Sequence, residues 1–392
     1  SGCLILLIKQ KDLMKYVVKI YWTLRRSIRN YFVTRTCVHS QVGISVVDPV
    51  GRLWPCCKYT LDKTNPLPTI FDVDTLDKLH NTSPFKKIRY DIENKIDSIA
   101  CSMCWIKEST NQESRRTATQ NLYQKTKTKI NPGYIQDMEI ALDYTCNMMC
   151  RSCGTDASSK WMSAKSVLDS FEKHEVPSHG VVYNKSPKQF AEQFKKVIIN
   201  TNFSKMRQVK VLGGEPFYSK NIDWFIEKLY NEVEDREALD LNIFTNASVW
   251  PKDETLKRLL KFPRVSITLS LDAINDLANV IRWGVRWDQI YPIVLKWKQT
   301  PIHLHINNTI SIQNVNHAKD FLQFANNNNI NVSFNFLDRP NYLSVYQFPL
   351  KERKKWILQG DSKTEKLFNS SLLADIQTQN EFNSFLKSLD IL

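Results

Sequence analysis

Three cysteines, Cys146, Cys150 and Cys153, fall within the eleven residues DYTCNMMCRSC. Thiolates at this CxxxCxxC spacing can ligate three irons of a cubane iron–sulfur cluster, leaving the fourth iron open to a small molecule. An open metal position marks a catalytic site, whereas a closed ligand set is usually structural. The competing reading is a zinc knuckle, which needs a fourth Cys or His close by. No His lies between Gly154 and Lys173, and His174 is poorly placed for a compact knuckle.

A second cysteine group lies upstream. Cys37 and Cys56 flank the stretch CVHSQVGISVVDPVGRLWPCC. VGISVVD alternates and is β-branched, Pro49 to Gly51 make a turn, and RLWPCC resumes an extended run, so the stretch reads as a hairpin whose fold brings Cys37 and Cys56 to one end. Cys101 and Cys104 form a CxxC pair. The four thiolates make a closed set suited to zinc or to a fully ligated iron–sulfur cluster, and spacing does not decide between them. Cys57 would point to the opposite face of a strand from Cys56. It reads as a packing or substrate-side thiol, able to exchange roles with Cys56.

The elements that must position the triplet begin at residue 137. Strand patterns MEIALDY, QVKVL, LNIFT, RVSITLSLDA, IHLHINNTIS and NVSFNFL alternate with helical stretches, including SVLDSFEK, SPKQFAEQFKKVII, IDWFIEKLYNEV, DETLKRLLKF and HAKDFLQFA. Six β/α units in series predict an α/β fold with a parallel sheet and right-handed crossovers, a partial (βα)6 TIM-type barrel. The polar residues fall at the carboxyl ends of the strands, where such folds place their sites. The triplet follows the first strand, and Gly213, Gly214 and Glu215 follow the second. Two glycines let backbone approach a ligand closely, and the adjacent carboxylate can accept hydrogen bonds from an ammonium group. Thr245 and Asn246 end the third strand, Ser270 and Asp272 the fourth, and Asn308 lies near the end of the fifth. These short polar side chains suit ribose hydroxyls and a carboxylate, although each singly reads as readily as a turn or cap residue. Arg282 could pair with a ligand carboxylate or form a salt bridge on the barrel exterior.

The 392 residues suffice for two domains or one large barrel with an appendage, and 42% hydrophobic content describes a well-cored globular chain. The formal net charge of +14 points to an acidic partner such as a nucleic acid or acidic peptide, or to a lysine-rich solvated surface. Clustered cysteines favour metal ligation in a reducing, cytoplasmic setting over disulfides. Residues 1–36 read as a basic leader or peripheral helix, since the apolar run Leu4 to Ile8 is too short to span a bilayer. DVDTLDKLHNTSPFKKIRYDIEN reads as two short polar helices, and residues 109–133 as an interdomain linker. Residues 341–392 carry two amphipathic helices, ERKKWIL and EFNSFLKSLDIL, that would cover the barrel or its open edge.

CxxxCxxC after strand one, GGE after strand two and polar ends on the next strands resemble the radical S-adenosylmethionine (SAM) superfamily in type and order. The C-x13-G-x4-C element and CSMCW…E…S resemble the auxiliary-cluster half-domain called twitch, a shortened SPASM domain, here placed N-terminal to the barrel. The resemblance covers roughly residues 37–340. It divides the chain into an α+β auxiliary domain over 37–130 and a barrel over 135–340. Two positions depart from the family pattern: Ser152 stands where an aromatic residue commonly packs near the adenine, and Asn111 where glycine is expected. The resemblance implies a [4Fe-4S] cluster on Cys146, Cys150 and Cys153, and SAM held by the strand-end residues. It further implies an auxiliary iron–sulfur cluster on Cys37, Cys56, Cys101 and Cys104, and a reductant such as flavodoxin or ferredoxin. A 5′-deoxyadenosyl radical would then abstract hydrogen from a peptide, nucleotide or carbohydrate-like substrate. The rival class is a zinc-stabilised nucleic-acid-binding protein.

Overall fold

All six expected strands are present in the computed structural model, which describes residues 36–46, 51–61, 65–109, 113–155, 157–168 and 187–373. A seventh precedes them. The strands are β1 (Gly43–Val46), β2 (Asp137–Ala141), β3 (Gln208–Leu212), β4 (Asp240–Thr245), β5 (Val265–Ser270), β6 (His303–Ile310) and β7 (Asn331–Phe336). They form one sheet in that order, every pair parallel, so spatial neighbours are also sequence neighbours. β1 and β7 are its two edges, and the sheet is open as a hydrogen-bonded array.

The register separates two faces, because successive side chains in a strand alternate. Met138, Ile140, Val209, Val211, Leu241, Ile243, Ile267, Leu269, Ile306 and Ile310 share one face, none more than 2% exposed. Against them pack Phe194 and Val197 of α6 (Pro187–Asn200), Phe225 and Leu229 of α7 (Ile222–Glu232), Val294 and Trp297 of α10 (Trp287–Lys298), and Phe321 and Ala325 of α11 (Ala318–Asn327). Each large apolar side chain so buried contributes about 1.5–3 kcal/mol, which makes this face the main source of stability. The opposite face carries Glu139, Lys210, Asn242, Thr268, His305 and Ser333. They bind one another across strands: Lys210 Nζ lies 3.3 Å from Glu139, Thr268 donates to Asn242 at 2.9 Å, and His305 lies 2.9 Å from Ser333. A parallel sheet covered by helices on both faces would be apolar on both.

The upstream region differs from its expected form in four respects. Its first strand, β1, joins the main sheet beside β2, with Gly43 opposite Asp137 and Val46 opposite Ile140. The return limb of the hairpin meets β1 in one isolated antiparallel bridge, Ser45 to Trp54, and makes a second with Thr69 through Arg52, rather than forming a strand. The stretch read as a linker instead contains α4 (Arg115–Lys125). A capping box built by Ser114 and Thr117 starts that helix, and Tyr123 packs with Val38 and Val42 of α1 (Val38–Val42). Two polar helices were expected over 72–94; the first is only the 3-10 turn Leu79–Asn81, and the second is α2 (Ser83–Glu93).

At the other end, α13 (Lys363–Leu372) sets Phe368 against Phe334 and Phe336 of β7, so this extension covers the sheet edge. The leader, the C-terminal EFNSFLKSLDIL and Asn111 lie outside the described residues. Among the described residues no helix is long and apolar enough to cross a membrane.

Candidate active site

The cysteine triplet sits in the loop between β2 and α5 (Ser159–Leu168), with Cys146 and Cys150 buried and Cys153 half-buried. The loop's own hydrogen bonds fix its shape. Cys146 N donates to Ser159 Oγ at 3.0 Å, Trp161 Nε1 to the Cys150 carbonyl at 3.0 Å, and Ser158 Oγ to the Met148 carbonyl at 2.7 Å. Burial pushes the Cys146 thiol up to about 11. A hydrogen bond between their sulfurs raises Cys150 and lowers Cys153.

Gly213 and Gly214 bring their backbone against the loop. Gly213 has φ +112°, and a Cβ there would stand 2.5 Å from the Asp143 carbonyl oxygen; at Gly214 it would stand 2.4 Å from that of Thr145. The close approach lets Gly214 N donate to Asp143 O at 3.2 Å and Glu215 N to Thr145 O at 2.9 Å. The end of β3 is thereby stitched to the segment just before Cys146. Glu215 is 1% exposed. It accepts from Thr245 Oγ1 at 2.7 Å, Asn246 N at 2.6 Å and Phe217 N at 3.1 Å. Burial raises its carboxyl to about 7, and these donors hold it from rising further. Asn246 also reaches the loop, donating to Asn147 Oδ1 at 3.2 Å, while Asn147 donates to Ser248 Oγ at 2.9 Å.

Asp272 and Arg282 are engaged with each other. Arg282 Nε lies 2.8 Å from Asp272 Oδ2, their side chains 12% and 1% exposed. The guanidinium points inward to Cys150, with Nη1 3.8 Å from its sulfur, so the exterior salt-bridge alternative does not hold. Ser270 ends β5 half-buried on the polar face. Asn308 is 1% exposed on the helix-covered face between Ile306 and Ile310, with its Oδ1 unpaired. The structure thus joins Glu215, Thr245, Asn246, Asp272 and Arg282 to the loop, and leaves Ser270 and Asn308 outside these contacts. Sequence reasoning missed Asn147, Ser248 and Gly284. The loop residue Asn147 carried no spacing signal. The isolated glycine of IRWG was a usable one, since Gly284 has φ +127°.

Upstream, Cys37, Cys56, Cys101 and Cys104 line one cavity with His39, Arg115 and Arg116. Cys101 closes a 3-10 turn, and Cys104 lies in α3 (Ser102–Ser109). Burial pushes Cys37 up to about 11 and raises Cys56 and Cys101 well above the ordinary thiol range. Arg116, buried and paired with Glu108, supplies a cation at the cavity wall. Cys57 is not in that wall; its sulfur meets Glu139 on the polar face of the sheet. Four thiols around one cavity are a soft donor set that suits zinc or an iron–sulfur cluster. Among the described residues no three His, Cys, Asp or Glu side chains stand ready-made around a single metal ion.

Residues 142–325, a little under half of the chain, match the Radical SAM superfamily. The chain is 24% identical over 212 residues to GTP 3′,8-cyclase of Nautilia profundicola, covering 51% of this chain and 55% of that protein. It therefore spans about half the length of the curated relative it matches. Among solved structures it is similar to Streptococcus suis SuiB bound to S-adenosylmethionine, at 16% identity and TM-score 0.34, over 68% of this chain and 58% of that one. It is also similar to native anSMEcpe with bound AdoMet, at 14% identity and TM-score 0.37, over 56% and 58%.

Proposed function

We propose that Cys146, Cys150 and Cys153 hold a [4Fe-4S] cluster beside which SAM binds, and that the chain uses SAM to abstract hydrogen from a polar substrate. The observation that carries this reading is the loop itself: three thiols at the superfamily spacing, tied to Gly214 and Glu215 of one strand end and to Asn246 of the next. The three thiols offer soft ligands for three irons, and the loop already turns donors toward them: Met148 N–H and the Ser158 hydroxyl toward Cys146, and Arg282 toward Cys150. When bound, such a cluster supplies the electron that cleaves SAM to methionine and a 5′-deoxyadenosyl radical.

The chain's own residues orient and shield. Glu215, in its ionised form, takes the ammonium group of SAM, with Thr245 and Asn246 setting the carboxylate's direction. Ser270 offers its hydroxyl to the ribose, and Asp272 and Arg282 complete the wall. The glycines keep the cysteine loop seated on β3. The polar face from Glu139 to Ser333 receives the substrate, and its chemistry suits a peptide, a nucleotide or a carbohydrate-like metabolite. The likeness to GTP 3′,8-cyclase favours the nucleotide. The auxiliary-domain resemblance of the upstream cysteines favours the peptide.

In this reading Cys37, Cys56, Cys101 and Cys104 bind a second iron–sulfur cluster in a twitch-like region, and a flavodoxin or ferredoxin supplies electrons in the cytoplasm. A partial barrel preceded by that region is the architecture it requires. The zinc-stabilised nucleic-acid-binding alternative leaves the superfamily match over 142–325 without an explanation.

Anaerobic reconstitution tests the proposal. Two cubanes imply about eight iron and eight sulfide per chain, with dithionite-dependent release of 5′-deoxyadenosine from SAM. Stoichiometric zinc without SAM cleavage would refute it.

A further inference from the structure

The segment from Arg282 to Gly284 grips the cysteine loop through its backbone. Arg282 pairs with Cys150 and Trp283 with Met149 in a short antiparallel ladder, and Arg151 N donates to the Ile281 carbonyl at 2.9 Å. Gly284 lets this ladder close: a Cβ there would stand 2.7 Å from the Asn147 carbonyl oxygen and 3.0 Å from Met148 Cα. Backbone pairing alone would explain a structural clamp. The Arg282 side chain does something more specific, because it turns its Nη1 toward Cys150 Sγ, 3.8 Å away. Asp272 then holds the guanidinium from behind at 2.8 Å. Asp272 is itself fixed, with Oδ1 accepting from Thr309 N at 2.8 Å and its carbonyl accepting from Asn314 Nδ2 at 2.7 Å. A cation therefore touches one sulfur of the triplet while its balancing anion is rigidly placed on the far side. Both are buried, where water and salt screen charge poorly.

We propose that Arg282 and Asp272 form an opposed pair that sets the reduction potential of the cluster through Cys150, resting on the assignment of Cys150 as a ligand made above. Reduction adds one electron to the cluster from an external one-electron donor; no bond forms or breaks. The added negative charge spreads onto the ligand sulfurs, so a guanidinium donor at Cys150 stabilises the reduced form and raises the potential. Asp272 opposes that effect with a full negative charge one contact further out. The two residues are positioning residues, and their signs are opposite. A purely mechanical clamp would not give opposite signs.

The test is a potentiometric titration of the reconstituted full chain without SAM, followed by electron paramagnetic resonance. The relevant signal is the one lost in Cys150→Ala. Leaving SAM out separates this role from any contact of Arg282 with SAM. In Arg282→Gln the ratio of reduced to oxidised cluster at a fixed potential should fall about tenfold, a midpoint about 59 mV more negative for one electron. In Asp272→Asn the midpoint should move the other way. Unchanged midpoints in both variants, or shifts of the same sign, overturn the proposal while leaving the cluster assignment standing. Should Arg282→Gln fail to take up the cluster, Asp272→Asn decides alone, and a midpoint at or below that of the unmodified chain overturns it. A chain that takes up no cluster at all defeats the assignment of Cys150, and this proposal with it.

Discussion

The two cysteine groups are built in opposite ways. Cys146, Cys150 and Cys153 come from one short loop whose backbone is gripped by the end of β3 and by the Arg282–Gly284 segment, and whose Asn147 side chain is held by Asn246 at the end of β4. Cys37, Cys56, Cys101 and Cys104 come from three separate stretches of chain that meet around a cavity. The first group is held in place by the sheet that also forms the core. The second has only a small satellite cluster around it, in which Tyr59, Leu67, Ile88 and Ile92 pack with Cys37. Metal binding at the loop should therefore add chemistry more than stability. At the upstream cavity it should close long chain loops and contribute to folding outright.

The largest expected effects break the comparison most directly. Cys150→Ala should reduce 5′-deoxyadenosine formation to background while leaving the melting temperature of the apoprotein nearly unchanged. Activity near that of the unmodified chain would remove the loop from the chemistry. Cys104→Ala should lose about half the iron, roughly four of about eight per chain. It should retain SAM cleavage uncoupled from product, and melt earlier than the holoprotein. If Cys104→Ala instead abolished SAM cleavage while Cys150→Ala spared it, the two roles would be exchanged.

An intermediate effect sharpens the loop side. Burial raises the Glu215 carboxyl to about 7, so it is mostly protonated below that pH and ionised above it. Only the ionised form attracts an ammonium group, so SAM affinity should rise as pH increases through 7. At pH 6 about one-tenth of the sites are ionised, which predicts binding about tenfold weaker than at pH 8. Equilibrium titration of the reconstituted protein measures this, with Glu215→Gln as the comparison. A pH-independent affinity in the unmodified chain would take Glu215 out of contact with SAM.

Part of this contrast was legible from residue types alone. The six strands of the main sheet were readable because their apolar residues alternate with Lys210, Asn242 and Thr268, and because each run ends in a turn or cap signal. The loop cysteines were readable from spacing. β1 was read as half of a hairpin, since pairing Gly43 with Asp137 depends on a contact ninety-four residues away that no local pattern encodes. α4 was hidden by its arginines, threonines and glutamines, and its one signal was the Ser114-x-x-Thr117 cap. Gly213 and Gly214 were singled out for close backbone approach to a ligand, and no local pattern showed that their backbone also lies against the loop of the same chain. Arg282 was read as pairing with a ligand carboxylate or forming an exterior salt bridge, and Asp272 as a ligand contact, and their mutual pairing was not foreseen because a sequence shows charges without showing which of them neutralise one another.

The smallest expected effects compare one serine from each region. Ser114 caps α4 by accepting from Thr117 N at 3.1 Å and donates to Glu108 at 2.6 Å, almost fully buried. Ser114→Ala removes a cap worth about 1 kcal/mol. The Glu108 charge keeps Arg116 as a partner at 2.6 Å, so the loss should stay within about 1–2 kcal/mol. Ser159 Oγ holds Cys146 from both sides, accepting from its N–H at 3.0 Å and donating to its carbonyl at 3.2 Å. Ser159→Ala costs a comparable or smaller amount, about 1 kcal/mol, because the loop keeps its contacts to Gly214 and Glu215. The readouts should divide. Urea unfolding should register Ser114→Ala more strongly, and the rate of SAM cleavage should fall a few-fold only in Ser159→Ala, where the first ligand loses its tether. A slowing as large in Ser114→Ala would mean that the upstream cavity and the loop move as one unit. The mechanical independence drawn above from their separate supports would then be wrong.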